Sequence, residues 1–159
     1  MKHAGEIIIR EATPADSPVL ANIFLVARQS TFDWMDPGSF SLSDFSAQTE
    51  GERVFLAASP TGEVVGFIAV WVNACFIHHL FILPAYQRQG IGQRLINSLL
   101  AWLPLPYRLK CLVRNEAALA FYRQNGWQQL ETGNTDGEEF ILLELKDIPA
   151  VISPARFHE

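Results

Sequence analysis

Hydrophobic residues recur along the chain in two spacings, which together predict the order of strands and helices. Short apolar runs predict seven strands, at residues 7–10, 54–58, 64–72, 75–83, 108–113, 127–132 and 140–145. Apolar residues three and four apart predict four helices, which start at Pro14, near Ser41 or Ser43, at Gly90 and at Glu116. Short turns separate the second, third and fourth strands, so we expect an antiparallel meander.

This order predicts an α/β (α+β) fold class, with one domain over residues 1–159. Strand 75–83, helix 90–103 and strand 108–113 predict a right-handed parallel crossover, so the central sheet of about seven strands is mixed and flanked by about four helices. The chain has 159 residues, 49% hydrophobic and 18% charged, which suits one globular core. Residues 146–159, which carry two prolines, are expected to form a peripheral C-terminal tail.

Composition and charge narrow the functional classes. No apolar run approaches the ~20 residues of a membrane span, and the polar N-terminus lacks the apolar core of a signal peptide. We therefore expect a cytoplasmic protein without a membrane partner. The net charge of -5 argues against nucleic acid and weakly suits an amine substrate. Cys75 and Cys111 lie in predicted strands, where we expect buried small hydrophobic residues rather than a disulfide framework.

The first candidate site is the segment QRQGIG at residues 87–92, between an apolar strand and an amphipathic helix. A helix start offers free N–H groups and the positive end of the dipole, and glycine lets an anion approach the backbone. Arg88 and Arg94 add positive charge. The segment lacks the third glycine of a dinucleotide fingerprint and the Gly-Lys-Ser/Thr of a P-loop, and a purely structural turn is the alternative.

The second candidate site is the segment NEAALAFYRQNGW at residues 115–127. Asn115, Ala118 and Tyr122 fall at i, i+3 and i+7 and share one helix face, where the small alanine leaves room beside the tyrosine hydroxyl. Taken alone, Asn115 is typical of an N-cap and Tyr122 of a core-edge residue.

Together the two segments resemble the GCN5-related N-acetyltransferases, the GNAT family. The first matches the family's Gln-x-x-Gly-x-Gly loop after Leu-Pro, and the second its Asn-x-x-Ala-x-x-Phe-Tyr-x-x-x-Gly-Phe pattern, with Trp127 in place of the last phenylalanine. The element order also matches, so the resemblance spans nearly the whole chain. It implies a sheet splayed between 75–83 and 108–113, with acetyl-CoA bound there as co-substrate. The implied cofactor contacts are Leu80, Phe81, Ile82, Arg88, Gln89, Gly90, Ile91, Gly92, Gln93 and Asn115.

The resemblance also implies an acetyltransferase reaction, with Tyr122 as general acid toward the departing thiolate. A thiol pKa of roughly 8–9 lies near the ~10 of tyrosine, so this proton transfer is feasible. A backbone N–H near Ile82 would stabilise the oxyanion. Cys111 lies in a strand rather than at a helix start, so we expect direct attack by a primary amine in a ternary complex. The alternatives are a non-catalytic acyl-CoA sensor and a protein-interaction subunit of the same fold.

The general base is expected on strand 75–83, because a protein-derived base of the family often projects from the position corresponding to His78. Strand alternation places His78 on one face and His79 on the other. A water chain is the alternative base, and a buried structural histidine is the other interpretation of His78. We expect no metal, because adjacent strand residues point apart and no third ligand is evident.

The acceptor site is expected in the irregular, aromatic-rich stretch, since the family region corresponding to residues 28–45 lines the acceptor cleft together with the final hairpin loop. Asp33, Trp34 and Asp36 are placed to receive a cationic amine through charge and cation–π contact, or else form a capped turn with a packed indole. Glu138 and Glu139 are expected in the last loop. The sequence does not identify the amine acceptor, which is either a small molecule or a protein amine. It also leaves open whether the protein forms a homodimer.

Overall fold

The computed structural model describes residues 6–148, which fall into two compact units divided between Leu103 and Pro104. The first unit contains four strands and three α-helices, and the second contains three strands and one α-helix. The order of the elements and their number agree with the sequence prediction. Residues 149–159, most of the predicted tail, lie outside the described residues. No helix within residues 6–148 has both the length and the hydrophobicity of a membrane-spanning helix.

The sheet of the first unit is an antiparallel meander, as predicted. Its strands follow one another in chain order: β1 (Ile8–Glu11), β2 (Arg53–Ala58), β3 (Val64–Trp71) and β4 (Phe76–Ile82). Its helices are α1 (Ser17–Thr31), α2 (Asp44–Thr49) and α3 (Ile91–Ser98). Helix α3 is shorter than the predicted 90–103, because its last turn tightens into a 3-10 turn at Leu99–Ala101.

The core of the first unit forms where α1 and α2 cover one face of the sheet. Phe24 of α1 is 1% exposed and packs edge-on against Phe45, Phe67 and Phe81, with ring centroids 5.5–6.2 Å apart. Gly66 permits the close approach of β3 and β4, because a Cβ there would lie 2.5 Å from Ile82 Cδ1 and 2.8 Å from the Phe81 carbonyl oxygen. The end of β4 is thus packed by α1, through Phe24, and by β3, at Gly66.

The second unit is a three-stranded antiparallel sheet with one helix. Its strands lie in the order β5-β7-β6, and its elements are β5 (Tyr107–Leu112), α4 (Glu116–Gln124), β6 (Gln128–Thr135) and β7 (Glu138–Leu145). The loop predicted at 133–137 shrinks to two residues, Asp136 and Gly137, with φ of 52° and 84°. Positive φ at both positions is the signature of a type I′ hairpin turn. Glu138 and Glu139 therefore belong to β7, and their placement in a loop was wrong.

Candidate active site

The glycine segment forms a left-handed turn that opens α3. Gly90 is the N-cap residue, with φ of 81°, and Arg88 also has a positive φ of 65°. The first helical bond runs from the Arg94 N–H to the Gly90 carbonyl at 3.1 Å, so the N–H groups of residues 91–93 precede it without a helical acceptor. No side chain caps this end of α3. The turn therefore presents backbone donors and a helix dipole suited to a phosphate group.

The turn is tied to the end of β4 by contacts that sequence reasoning missed. The Gln87 side-chain amide donates to the Ile82 carbonyl at 3.0 Å, and the Leu83 N–H donates to the Val65 carbonyl at 2.9 Å. These bonds hold the glycine turn directly beyond Ile82. The structure therefore places the predicted pyrophosphate-binding residues next to the predicted pantetheine-binding residues 80–82.

Helix α4 holds both functional candidates of the second unit. Asn115 is its N-cap, and the side-chain oxygen accepts a hydrogen bond from the Ala118 N–H at 3.3 Å. Tyr122 is buried, and its ring packs edge-on against Trp127 at 5.5 Å. Burial raises the pKa of Tyr122, and the nearby Cys111 raises it further, so the phenol stays protonated at neutral pH.

Cys111 lies in β5 and is buried, as predicted. The same prediction for Cys75 was wrong, because Cys75 is half-buried and ends the turn before β4. Burial raises the pKa of its thiol to about 11, against a weaker opposing effect of Arg123. A thiol of this kind is not the thiolate that nucleophilic catalysis requires. Cys111 is therefore a poor candidate for a nucleophile.

The two histidines of β4 lie at a β-bulge. His79 pairs with Ala69 and Ile77 pairs with Val70, so His78 is an extra residue without a partner in the register. A bulge interrupts the strict alternation of side chains. The two imidazole rings consequently lie beside each other, with centroids 3.9 Å apart and planes inclined by 32°. The prediction that these neighbours point apart was wrong, because the bulge removes the alternation on which it rested.

Glu52, which sequence reasoning also missed, contacts His78. Its Oε2 lies 2.6 Å from His78 Nδ1, and its side chain is 6% exposed, against 42% for His78. A buried carboxylate fixes the orientation of the imidazole and, with the proton on Nδ1, leaves Nε2 able to accept a proton. The strand register brings Glu52 and His78 together, because Arg53 pairs with Val70 and Val70 pairs with Ile77. No spacing along the sequence connects residue 52 with residue 78, so sequence reasoning could not find this contact.

His79 lies beneath this pair in the core. Its ring meets Phe24 at 4.7 Å and hydrogen-bonds to the backbone of Gln48. Burial and, to a smaller extent, the neighbouring His78 together lower the pKa of His79 to about 3, so the ring is neutral at physiological pH. Together with Glu52 and His78 it offers three ligand atoms, all within 4.8 Å of one another. The expectation that no third metal ligand lies nearby was therefore also wrong.

The predicted acceptor residues occupy the segment after α1. Trp34 is half-buried and meets Phe32 edge-on at 5.6 Å, and Phe32 meets Phe81 of β4 at 6.3 Å. Asp33 is exposed, whereas Asp36 caps a turn by accepting the Gly38 N–H at 3.0 Å. The aromatic rings therefore connect the irregular stretch to β4, while Asp36 has the structural role that was its alternative.

Comparison with known proteins identifies the family. The model described as "Acetyltransferase (GNAT) family" matches residues 20–127. The chain belongs to the GNAT family of acetyltransferases. No curated protein sequence matches the chain. The resemblance inferred from the glycine turn and the Asn115–Trp127 segment is thereby confirmed.

Solved structures confirm the fold. The PaiA N-acetyltransferase of Thermoplasma acidophilum, in complex with coenzyme A, has a TM-score of 0.72 at 18% identity and covers 89% of this chain and 99% of its own. Apo YjaB of Escherichia coli gives 0.71 at 19% identity, with 87% and 96% covered. The Vibrio cholerae spermidine N-acetyltransferase, in complex with CoA and spermine, gives 0.67 at 16% identity, with 89% and 96% covered. The predicted fold class, a GNAT fold with seven strands and four helices, is therefore confirmed.

Proposed function

We propose that this GNAT protein transfers the acetyl group of acetyl-CoA to a primary amine by direct attack in a ternary complex. The observation that carries the proposal is the left-handed Gly90 turn, which opens α3 with uncapped N–H groups directly beyond Ile82. Membership of the family supports acetyl transfer, and two similar structures contain CoA.

The backbone of the first unit supplies the donor site in this proposal. The N–H groups of residues 88–93 hold the pyrophosphate, and the end of β4, at Leu80, Phe81 and Ile82, pairs with the pantetheine arm as an added strand would. Asn115 contacts the pantetheine near the sulfur. Its capping bond uses only the side-chain oxygen, so that role is compatible with the observed cap.

The reaction balances as a nucleophilic acyl substitution. The neutral amine attacks the thioester carbonyl, the C–N bond forms, the C–S bond breaks, and CoA leaves as a thiolate. Tyr122 donates its proton to that thiolate, and its phenol carries that proton at neutral pH. Burial raises the pKa of Tyr122, so it supports the protonated state of the phenol and not its strength as an acid. The backbone N–H near Ile82 stabilises the oxyanion of the tetrahedral intermediate.

The bound cationic amine first loses one proton to His78, or to a water chain that ends there. The second proton, which the nitrogen loses as the amide forms, restores the Tyr122 phenol. The contact between Glu52 and His78 Nδ1 supports the first route, because it orients the imidazole and leaves Nε2 to accept the proton. We propose that the acceptor is a cationic amine received by Asp33 and Trp34. The net charge of -5 and the spermine bound to one similar structure favour an acceptor of this class.

Replacement of Tyr122 with phenylalanine tests the enzyme against the sensor alternative. Acetyl-CoA should raise the melting temperature of both wild type and Tyr122→Phe, because the donor site is intact in both. Release of free CoA with a panel of amines should fall by about 10²–10⁴-fold in kcat for the variant, the range of general acid catalysis. Equal losses of turnover and of CoA affinity would contradict the acid role, and CoA binding without turnover on any amine would favour the sensor.

A further inference from the structure

We propose that Glu52, His78 and His79 form a binding site for a zinc-type divalent cation. Each residue offers one ligand atom, and the three atoms lie within 4.8 Å of one another. They come from the segment before β2 and from the bulge of β4, so the register of the meander brings them together. We refer to these three residues as the Glu-His-His cluster.

Two buried atoms of the cluster lack hydrogen-bond partners within the described part of the chain. They are Oε1 of Glu52 and Nε2 of His79, and each has almost no solvent-accessible surface. The Glu52 side chain is 6% exposed, and His79 is 9% exposed. Buried polar atoms are nearly always satisfied, so two such atoms in one cluster indicate a bound species.

The chemistry of these two atoms indicates a cation. A carboxylate oxygen is an acceptor only, and since the His79 ring bonds to the Gln48 backbone, its bare Nε2 presents a lone pair. A histidine whose other nitrogen donates to a backbone carbonyl is the usual arrangement around protein-bound metals. Arg28 adds positive charge toward His79, but its guanidinium is already paired with Asp44 at 3.1 Å.

The ligand set and its dimensions suit zinc. Two imidazoles and one carboxylate, with a fourth position for water, form a known zinc coordination set. Zn–N and Zn–O bonds of about 2.0–2.2 Å in a tetrahedron place ligand atoms about 3.3 Å apart. To reach this separation, the Glu52–His78 contact of 2.6 Å must lengthen by about 0.7 Å, and any separation as long as 4.8 Å must shorten by about 1.5 Å.

Access to the cluster exists on the side of Glu52. This residue lines a cavity of about 220 Å³ between the turn after β1 and the segment before β2, and Glu11 lines the same cavity. His78, at 42% exposure, leaves the opposite side open to solvent. The cluster therefore adjoins a cavity through Glu52 and solvent through His78.

A metal ion bound at the Glu-His-His cluster would affect acetyl transfer, and this consequence rests on the proposed function. Once His78 binds the ion through the nitrogen that faces Glu52, its other nitrogen carries the proton and no longer accepts one from the amine. Bound metal therefore inhibits acetyl transfer if His78 is the base. Metal binding itself requires neither acetyl-CoA nor the amine, so the two claims are separable.

The test is calorimetric titration of the untagged protein with Zn²⁺, before any substrate is added. Substitutions of His3, Cys75 and His158, made together as a background, remove adventitious ligands. We expect one ion per chain, with affinity at least about tenfold weaker in Glu52→Gln and in His78→Gln. Glu50→Gln is the matched control, because Glu50 is an exposed carboxylate two residues before Glu52. The affinity of this variant for Zn²⁺ should equal that of the background protein. The visible absorption of bound Co²⁺ reports imidazole ligation independently.

Three outcomes decide the matter. If Zn²⁺ does not bind stoichiometrically, or if it binds equally well to Glu52→Gln and to His78→Gln, the proposed metal site is refuted. Water is then the partner of the two buried atoms. Stoichiometric binding that is lost in these variants, together with inhibition of acetyl transfer, supports both the cluster and the base. Binding without inhibition supports the cluster and refutes His78 as the base.

Discussion

Replacement of Gly90 with alanine tests the proposed phosphate-binding turn most directly. Gly90 has φ of 81°, and an added Cβ would meet no atom within 4 Å, so the penalty is conformational rather than steric. The left-handed conformation costs an alanine about 1–2 kcal/mol. The turn relieves that strain by rotating away from its observed conformation, which redirects the N–H groups at the start of α3.

The magnitude follows from what those N–H groups are proposed to do. A hydrogen bond to a charged group contributes about 1.5–3 kcal/mol. Misdirecting one such donor should therefore raise the Kd for acetyl-CoA about 10- to 150-fold, since each 1.4 kcal/mol is about tenfold. Calorimetric titration with acetyl-CoA measures this change, and urea unfolding measures the accompanying loss of stability.

Gly62 provides a matched control for this experiment. It lies in the turn between β2 and β3 with φ of 91°, and a Cβ there would also meet nothing within 4 Å. Gly62→Ala should therefore lose a similar free energy of unfolding without any change in the Kd for acetyl-CoA. If Gly90→Ala binds acetyl-CoA as tightly as wild type while losing the same stability as Gly62→Ala, the glycine turn is structural and the donor-site argument fails.

Two further predictions concern the scaffold of the first unit. Gly66→Ala should destabilise the fold by about 1–3 kcal/mol in urea unfolding, because its Cβ would press on the Phe81 backbone; an unchanged midpoint would show that β4 yields easily. Hydrogen bonds from Arg10 and from the Thr13 N–H hold the pKa of Asp16 well below its usual range. The folded state thus gives up this proton more readily, and the stabilisation present above about pH 4 is lost as the pH falls. The stability gap between wild type and Asp16→Asn should accordingly narrow from neutral pH toward about pH 3, and a constant gap would contradict this assignment.

Local patterns were sufficient for the elements and for the donor site. Apolar periodicity located all seven strands and four helices, because burial of one face imposes a spacing of 2 or 3.6 on the sequence. The glycine turn was visible because only glycine adopts the left-handed conformation of the N-cap residue without strain. The hairpin at Asp136-Gly137 carried a recognisable turn signal as well, although the predicted loop was too long.

The histidine pair shows where local patterns fail. Alternation along β4 predicts opposite faces for His78 and His79, and it fails because the register between β3 and β4 shifts by one residue at this point. A bulge depends on how two strands meet, and that information is distributed over both of them. Its position cannot be read from one strand alone.

By itself, the sequence determined the family, the element order and the segment proposed to hold acetyl-CoA, because these depend on residues that are neighbours along the chain. Only the tertiary structure revealed the contact of Glu52 with His78, 26 residues away along the chain, and the contact between the rings of His78 and His79. The physical reason is that these contacts depend on strand register and on burial. Both are properties of the assembled meander, and they decide which carboxylate contacts the candidate base and which buried polar atoms lie close together.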